Sequence, residues 1–452
     1  MAIVFIYAIK YTIRQYSQLQ KLRSSTKTII LIFRNLKNNL IVSRVRILTL
    51  AFLTWIAFSV IWAPYKTLAI YRLFIILGMF TFAGIISHYI KNSYIKARFV
   101  LVSLVLAGIF QSVVGISQFF LNRSVGFYFL GESILNPETS GVAKIIIENV
   151  KHIRAYGTFP HPNILAVFLV IPILILLYFF INSSLLRHRN IQKLISNETK
   201  RHSFFISVLC FTILISLFSG FLLTFSRTAF ISLFLVIFTL FLAKYWLSGK
   251  KIWLIINSLF LVFAILFIVS HLYFFRTSIL STQSFYERVF YKNVAYETIS
   301  THPLIGVGIG QFVFHEYTKN QNFQGWQYQP VHNLYLLITS ELGLVGLSIA
   351  ILLMLTIIHN CCINISNATE KNRNELVEKC NKNFERTIYD ECYSYKKPIV
   401  WDLTISPYCS LLFIFLVASF FDHYFWDIRS GMIIFLIPII FMISKPSIGA
   451  KK

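Results

Sequence analysis

In Val331-His332-Asn333-Leu334 a histidine stands where a polar stretch gives way to a strongly apolar one. An imidazole takes and releases protons near neutral pH, so the chemistry it offers is that of a general base. An ionisable group at the mouth of an apolar segment is costly unless it is used or well paired. The plain alternative is a capping or hydrogen-bonded histidine. Nine residues after Asn333 come Gly343 and Gly346, giving H-N-x9-G-x-x-G. Three arginines could serve the same chemistry as anion clamps, because guanidinium is permanently charged and matches phosphate oxygens bidentately. Arg227 lies in Thr224-Phe225-Ser226-Arg227-Thr228, Arg288 in Phe285-Tyr286-Glu287-Arg288, and Arg154 leads into Tyr156-Gly157-Thr158-Phe159-Pro160-His161-Pro162-Asn163. The structural alternatives are snorkelling to headgroups for Arg227 and an ion pair with Glu287 or Glu297 for Arg288. Asn163 and His161 stand at a helix start set by Pro162, a position that favours anions but equally suits simple capping. Asp422, in Asp422-His423-Tyr424-Phe425-Trp426-Asp427, could orient a base or an acceptor; its aromatic neighbours alone fit an interfacial belt.

The elements that must position these residues are membrane helices. The 452-residue chain is 56% hydrophobic and only 13% charged, about half the ~25% charged content of soluble domains. Apolar runs at 45–63, 68–90, 99–121, 162–182, 204–223, 228–247, 252–275, 332–359, 404–421 and 430–444 are long enough to be spans. A run at 2–13 is a weaker candidate, and 28–42 is interrupted by Arg34, Lys37 and Asn38. Alternating short strands are absent, which disfavours a barrel. The expectation is an all-α polytopic integral membrane protein with about 10–12 helices. Its domains are a basic segment over 1–44 with one weak span, a membrane domain over 45–445 and a tail over 446–452.

The net charge of +25 calls for a partner only if it forms a patch. Of the 42 Lys and Arg, 29 lie in the alternate connections 10–46, 91–98, 183–203, 248–251, 360–403 and 445–452. By the positive-inside rule those connections are cytoplasmic, and nucleic acid is not an expected partner. The long loops 122–161 and 276–331 then lie outside. The second holds enough Phe, Tyr and Trp to be ordered on the membrane surface, and its Gly306-Val307-Gly308-Ile309-Gly310 permits close approach to a ligand or a helix. The inner loop 360–403 mixes charges and reads as a solvated helical connector. The six cysteines, at 210, 361, 362, 380, 392 and 409, form no C-x-x-C pair and are expected to be reduced. No Gly-rich phosphate loop ending in Lys-Ser/Thr is present, which argues against a nucleotide-driven pump.

The H-N-x9-G-x-x-G spacing resembles the signature of the O-antigen ligase and O-antigen polymerase superfamily. Further stretches agree in order: Trp62-Ala63-Pro64, Tyr156-Gly157-Thr158-Phe159 with Pro162-Asn163, Ser226-Arg227, His302-Pro303-Leu304-x-Gly306-Val307-Gly308 with Phe312, Glu341-Leu342-Gly343, and Asp422-His423-Tyr424-Phe425-Trp426. Each is loose alone; their joint order over about 45–445 is more specific. The resemblance implies a GT-C-like glycosyltransferase of the bacterial inner membrane. Such enzymes move a glycan from undecaprenyl diphosphate to an acceptor on the periplasmic face, with no metal or other cofactor. His332 would be the base; Arg227 and Arg288, helped by Arg154, would bind the diphosphate, with Asn333, Asn163 and Asp422 also in the substrate site. The acceptor would be the sugar core of lipid A, another lipid-linked glycan or a protein hydroxyl. Members of this superfamily commonly have about a dozen spans, so a reduced or incomplete first hairpin is expected. A polymerase, a protein glycosylase and a transporter of lipid-linked sugars are the alternatives. A transporter would place charges or broken helices near the bilayer midplane, whereas the polar residues here gather at the outer mouth.

Overall fold

The computed structural model describes residues 44–147, 150–186, 197–248, 258, 282–319, 321–382 and 407–444. They fall in two compact units, 1–51 and 52–452. In the first, residues 44–51 are helical. The second contains α1 (52–59), α2 (Lys66–Lys91), α3 (Ala97–Leu121), a hairpin of β1 (Lys144–Ile147) and β2 (Val150–Ile153), α4 (Pro162–Leu186), α5 (Asn197–Leu222) and α6 (Arg227–Ser248). It continues with α7 (Thr282–Thr301), α8 (Phe312–Lys319), α9 (Leu334–Lys382), α10 (Pro407–Ala418), the single turn α11 (Tyr424–Asp427) and α12 (Arg429–Ser444).

Among the described residues four helical stretches are long and apolar enough to cross a membrane: α2, α3, Pro162–Phe179 of α4 and Leu334–Cys361 of α9. Parts of α5, α6 and α10, and all of α12, are shorter apolar helices. The chain is an all-α polytopic membrane protein. The expected span at 2–13, that at 252–275 apart from residue 258, the segment 28–42 and the tail 446–452 lie outside the described residues.

Helix α4 is the centre of the packing. Leu165, Ala166, Val167, Leu169, Val170 and Ile171 are all fully buried, and the helix packs against α3, α5, α6 and α10. A helix apolar on every side belongs inside a bundle. By contrast α2 and α3 leave Phe74, Phe99 and Leu106 exposed, as helices facing lipid do. Small residues bring the central helices together: a Cβ on Gly108 would stand 2.6 Å from Pro172 Cγ, and Ser112 Oγ of α3 donates to the Ser216 carbonyl of α5 at 2.6 Å. Close approach of this kind, with an interhelical hydrogen bond, is how helices associate where lipid supplies no hydrophobic drive.

The hairpin was not foreseen in the 122–161 connection. Its strands pair antiparallel, with Ile145 opposite His152 and Lys144 opposite Ile153. The β-branched run Ile145-Ile146-Ile147 favours a pleated, half-buried surface, and Ile153 forms a small core with Leu135 and Tyr156. The described part of the loop 276–331 holds two helices, α7 and α8.

Helix α9 is broken at Gly343 (φ 68°, ψ −177°). A break inside a span frees backbone groups that lipid cannot satisfy, and here five of them find partners. The Ser340 and Glu341 carbonyls accept from Val307 N (2.9 Å) and Gly308 N (2.8 Å). The Leu342 carbonyl accepts from Trp55 Nε1 at 2.9 Å. Beyond the break, Leu344 N and Val345 N donate to the Pro303 and Leu304 carbonyls at 2.8 and 3.3 Å. The loop with Gly306 and Gly308 therefore approaches a helix, the second of the two partners its glycines allowed.

Candidate functional site

The chain ends of α4, α6, α9 and α11 meet where these helices begin, and their first residues carry the chemistry. Asn333 caps α9: its Oδ1 accepts from Leu336 N at 3.0 Å, satisfying a donor of the first turn. Its Nδ2 donates to the Phe420 carbonyl at 3.0 Å, and Leu334 N donates to the Ser419 carbonyl at 2.8 Å. Asn333 N reaches back to the Val331 carbonyl at 2.7 Å, so His332 sits at the apex of a three-residue turn. These bonds fasten His332 beside the segment that leads into Asp422 and His423.

The His332 ring lies parallel to Tyr291 of α7 (centroids 6.0 Å, interplanar 9°). It meets His423 edge to face (5.1 Å, 80°). The Tyr291 hydroxyl donates to the Gln327 carbonyl, which fixes that ring in turn. His332 Nδ1 is buried with no hydrogen-bond partner. Burial lowers the His332 pKa to about 4, helped by His423 and Arg288 and opposed by Asp422. The ring is therefore neutral, and able to accept a proton, at neutral pH.

A polar chain runs away from this pair. His423 Nδ1 contacts Asp427 Oδ1 at 2.9 Å, and His423 Nε2 is 3.9 Å from Asp422 Oδ1. Asp422 Oδ2 accepts from Asn163 Nδ2 at 2.8 Å. Asn163 Oδ1 accepts from an Arg154 terminal nitrogen at 2.8 Å, and Arg154 Nε donates to the Thr224 carbonyl at 2.6 Å. Burial alone would raise the Asp422 carboxyl. The three histidines His423, His332 and His161, with the Asn163 amide, outweigh it and hold Asp422 below its usual value. Burial lowers Arg154 to about 10, with Arg227 and Arg288 adding repulsion and Tyr156 and Asp422 opposing. His161 Nδ1 accepts from Asn163 N at 3.1 Å, which leaves the ring as a neutral cap. Burial, with Arg154 next, lowers its pKa to about 3.

The polar residues around His332 differ in their surroundings. Asn333, Asn163, Asp422 and Arg154 have their side chains engaged with the protein. Arg227 and Arg288 are exposed, and their charges are close enough to repel each other. Among the described residues no carboxylate forms an ion pair with either; Glu297 pairs with Lys319 at 2.6 Å instead. Two neighbouring guanidiniums, that of Arg288 also close enough to act on the neutral His332 imidazole, can receive an anion with several oxygens. Among the described residues no three His, Cys, Asp or Glu converge to hold a metal ion.

Sequence reasoning passed over Gln111 and Gln118 on α3. Gln111 Oε1 accepts from Thr158 N (2.8 Å) and its Nε2 donates to Thr158 Oγ1 (2.7 Å). Gln118 Oε1 accepts from Tyr156 N and Gly157 N (3.0 and 2.8 Å). The two hold the 155–158 turn that delivers Arg154 and Asn163. Their signal was two glutamines seven apart on an apolar span, a costly choice unless both are partnered.

Glu316 of α8 was passed over as well. It is fully buried, and only the Gln329 backbone N–H stands against the burial of its carboxyl. Burial raises its pKa to about 8, so it is a neutral acid at pH 7. The unfolded chain ionises it near 4.5. Its contribution to stability is therefore full below about 4.5 and is lost as pH rises through 8. Glu316→Gln should remove that dependence. Thermal unfolding in detergent should show the variant melting above the wild type at pH 8.5 but not at pH 4; parallel curves would contradict the assignment.

Residues 210–351 match a family model described as O-antigen ligase. No curated protein matches the chain. The matched stretch contains Arg227, Arg288, His332 and the Gly343 break, while Arg154, Asn163, Asp422 and His423 reach the same site from outside it. It is over residues 210–351, about a third of the chain, that the protein is similar to the O-antigen ligase family.

Proposed function

We propose that this protein is a glycosyltransferase of the membrane surface. In this reading it transfers a glycan from an undecaprenyl-diphosphate donor to an acceptor hydroxyl on the periplasmic or outer face of the bacterial inner membrane. The observation that carries it is a neutral imidazole, His332, near the exposed guanidinium of Arg288, which in turn neighbours that of Arg227; among the described residues neither arginine pairs with a carboxylate. His332 takes the proton of the acceptor hydroxyl as its oxygen attacks the anomeric carbon. The bond from that carbon to the diphosphate oxygen breaks, and the lipid diphosphate departs. A diphosphate is already a good leaving group, so it needs its developing charge neutralised more than it needs an acid. Arg227 and Arg288 supply that charge, which no metal is needed to provide. Attack opposite the leaving group inverts the anomeric centre.

The transporter reading gains nothing from the broken helix α9. Transporter helices break so that freed backbone groups can hold cargo, and here protein groups occupy the five freed groups named above. The family match supports ligase- or polymerase-like glycan transfer, and the acceptor is what distinguishes a ligase, a polymerase and a protein glycosylase. The acceptor panel for the test is lipid A core, a second lipid-linked glycan and a serine or threonine peptide, each mixed with purified protein and a lipid-diphosphate oligosaccharide. Transfer with inversion to one of them supports the reading; transfer with retention, or no transfer to any, sinks it.

Arg227→Ala and Arg288→Ala should each cost about a hundredfold in kcat/KM. Lysine at either position should restore only part of the loss, because a point charge lacks the planar fork. The comparison is steady-state transfer at varied donor; full rescue by lysine would reduce the role to simple charge.

A further inference from the structure

We infer that His423 is a positioning residue for the base: gripped between Asp422 and Asp427 and set edge-on against His332, it fixes that ring and keeps it in its neutral, proton-accepting form. The matched family stretch ends well before His423. The catalytic part of this inference rests on the reading of His332 given above; the pairing of the two rings rests on geometry alone.

The two imidazoles are 5.1 Å apart between centroids and have opposite surroundings. His423 is buried (8% exposed), with Asp427 Oδ1 2.9 Å from Nδ1 and Asp422 Oδ1 3.9 Å from Nε2. Its backbone N–H also donates to Asp422 Oδ1 at 2.9 Å. His332 has no carboxylate in hydrogen-bond contact and an unpartnered Nδ1. Around the pair stand Tyr291 and Arg288 from α7, His161 and Asn163 from the start of α4, and Asp422 and Asp427 on either side of His423. Arg154 is reached through Asn163. Two adjacent imidazoliums would repel, so a single proton is placed by the carboxylates, and both carboxylates are on His423.

The charge balance agrees. Burial would lower His423, but Asp427 and then Asp422 outweigh it and raise its pKa, while Arg288 opposes them weakly. For His332 burial is the largest cause of the fall to about 4, and His423 is the next. Neighbouring titratable groups pushed in opposite directions are a common way to separate a proton holder from a proton acceptor. Asp422 couples the pair to Asn163 and Arg154, so the base is tuned by residues on connections remote in sequence.

The test is the pH dependence of the full-length purified protein, read in two ways. One is NMR of 13C-labelled histidine without substrate, assigned with His332→Gln and His423→Gln. The other is the acid limb of kcat/KM for transfer. In the wild type His423 should stay protonated while His332 is neutral, with His332 titrating near pH 4. In His423→Gln the His332 midpoint and the acid limb should both move up by about one unit, about a tenfold loss deep in that limb. His423→Arg keeps a cation beside the ring and should return both towards the wild-type position. An unmoved midpoint and limb in His423→Gln would overturn the inference, as would a wild type in which His332 holds the proton and His423 does not. If the Gln variant does not fold, the wild-type titration decides. A moved midpoint with no transfer under any condition supports the pairing and overturns the transferase reading.

Discussion

Replacing His332 with alanine should lower glycan transfer by about a thousandfold, within the range that a positioned general base contributes. Protein level and donor supply should be unchanged. The first expectation follows from the pKa of about 4: at neutral pH nearly every His332 is ready to accept a proton, so no reserve of inactive protein masks the loss. The second follows from the anchoring of the turn. Asn333, not His332, caps α9 and ties it to Phe420, so truncating the ring removes stacking with Tyr291 but leaves the backbone bonds in place. Steady-state transfer by purified wild type and variant, with folded fractions matched by thermal unfolding, measures this. Asn333→Ala should behave differently, costing about 1 kcal/mol of stability through the lost cap and lowering activity only through displacement of His332.

Gly343→Ala should be the most damaging substitution for folding. The residue has φ 68° and ψ −177°, a backbone region that is essentially restricted to glycine. An added Cβ would stand 2.0 Å from the Leu304 carbonyl oxygen and 2.4 Å from Ile305 N. Both are backbone atoms that no side-chain rotation can move. Relief requires separating the 303–308 loop from α9, which breaks the bonds to Ser340, Glu341, Leu344 and Val345. Backbone groups left unpaired in the bilayer cost several kcal/mol each, so the expected result is a failure to accumulate folded protein. Gly346→Ala should be milder. Its Cβ would meet Leu342 Cβ at 2.4 Å and the edge of Trp55 at 3.1 Å, so the helix must give locally, but the position needs no left-handed backbone and the clash is with no carbonyl of the 303–308 loop. Yield after membrane extraction and a thermal melt compare the two; equal yields would contradict the account of the break.

The motif glycines show what a sequence can and cannot disclose. Their spacing from His332 was visible, and so was the permissiveness of Gly306 and Gly308. The reason for both was not, because it lies in a contact between two stretches some 35 residues apart and a tryptophan, Trp55, nearly 300 residues away. The apolar spans were legible because lipid imposes a long, uniform hydrophobic run. The hairpin at 144–153 was not, since two four-residue strands in a surface connection carry little periodicity. His332 stood out as an imidazole at a polarity boundary. His423 did not, because Tyr424 and Trp426 beside it offered the sufficient explanation of an interfacial belt. Arg227 and Arg288 could each be explained singly, by snorkelling and by an ion pair; only the fold brings their charges and that of Arg154 close enough to repel one another.

The central claim is that His332 acts on the acceptor while the arginines hold the donor. A single-turnover transfer with His332→Ala at saturating lipid-diphosphate donor separates the two roles. The account predicts that the variant binds donor as tightly as the wild type and leaves it uncleaved in the presence of acceptor. Conversion of the bound donor at the wild-type rate would contradict it.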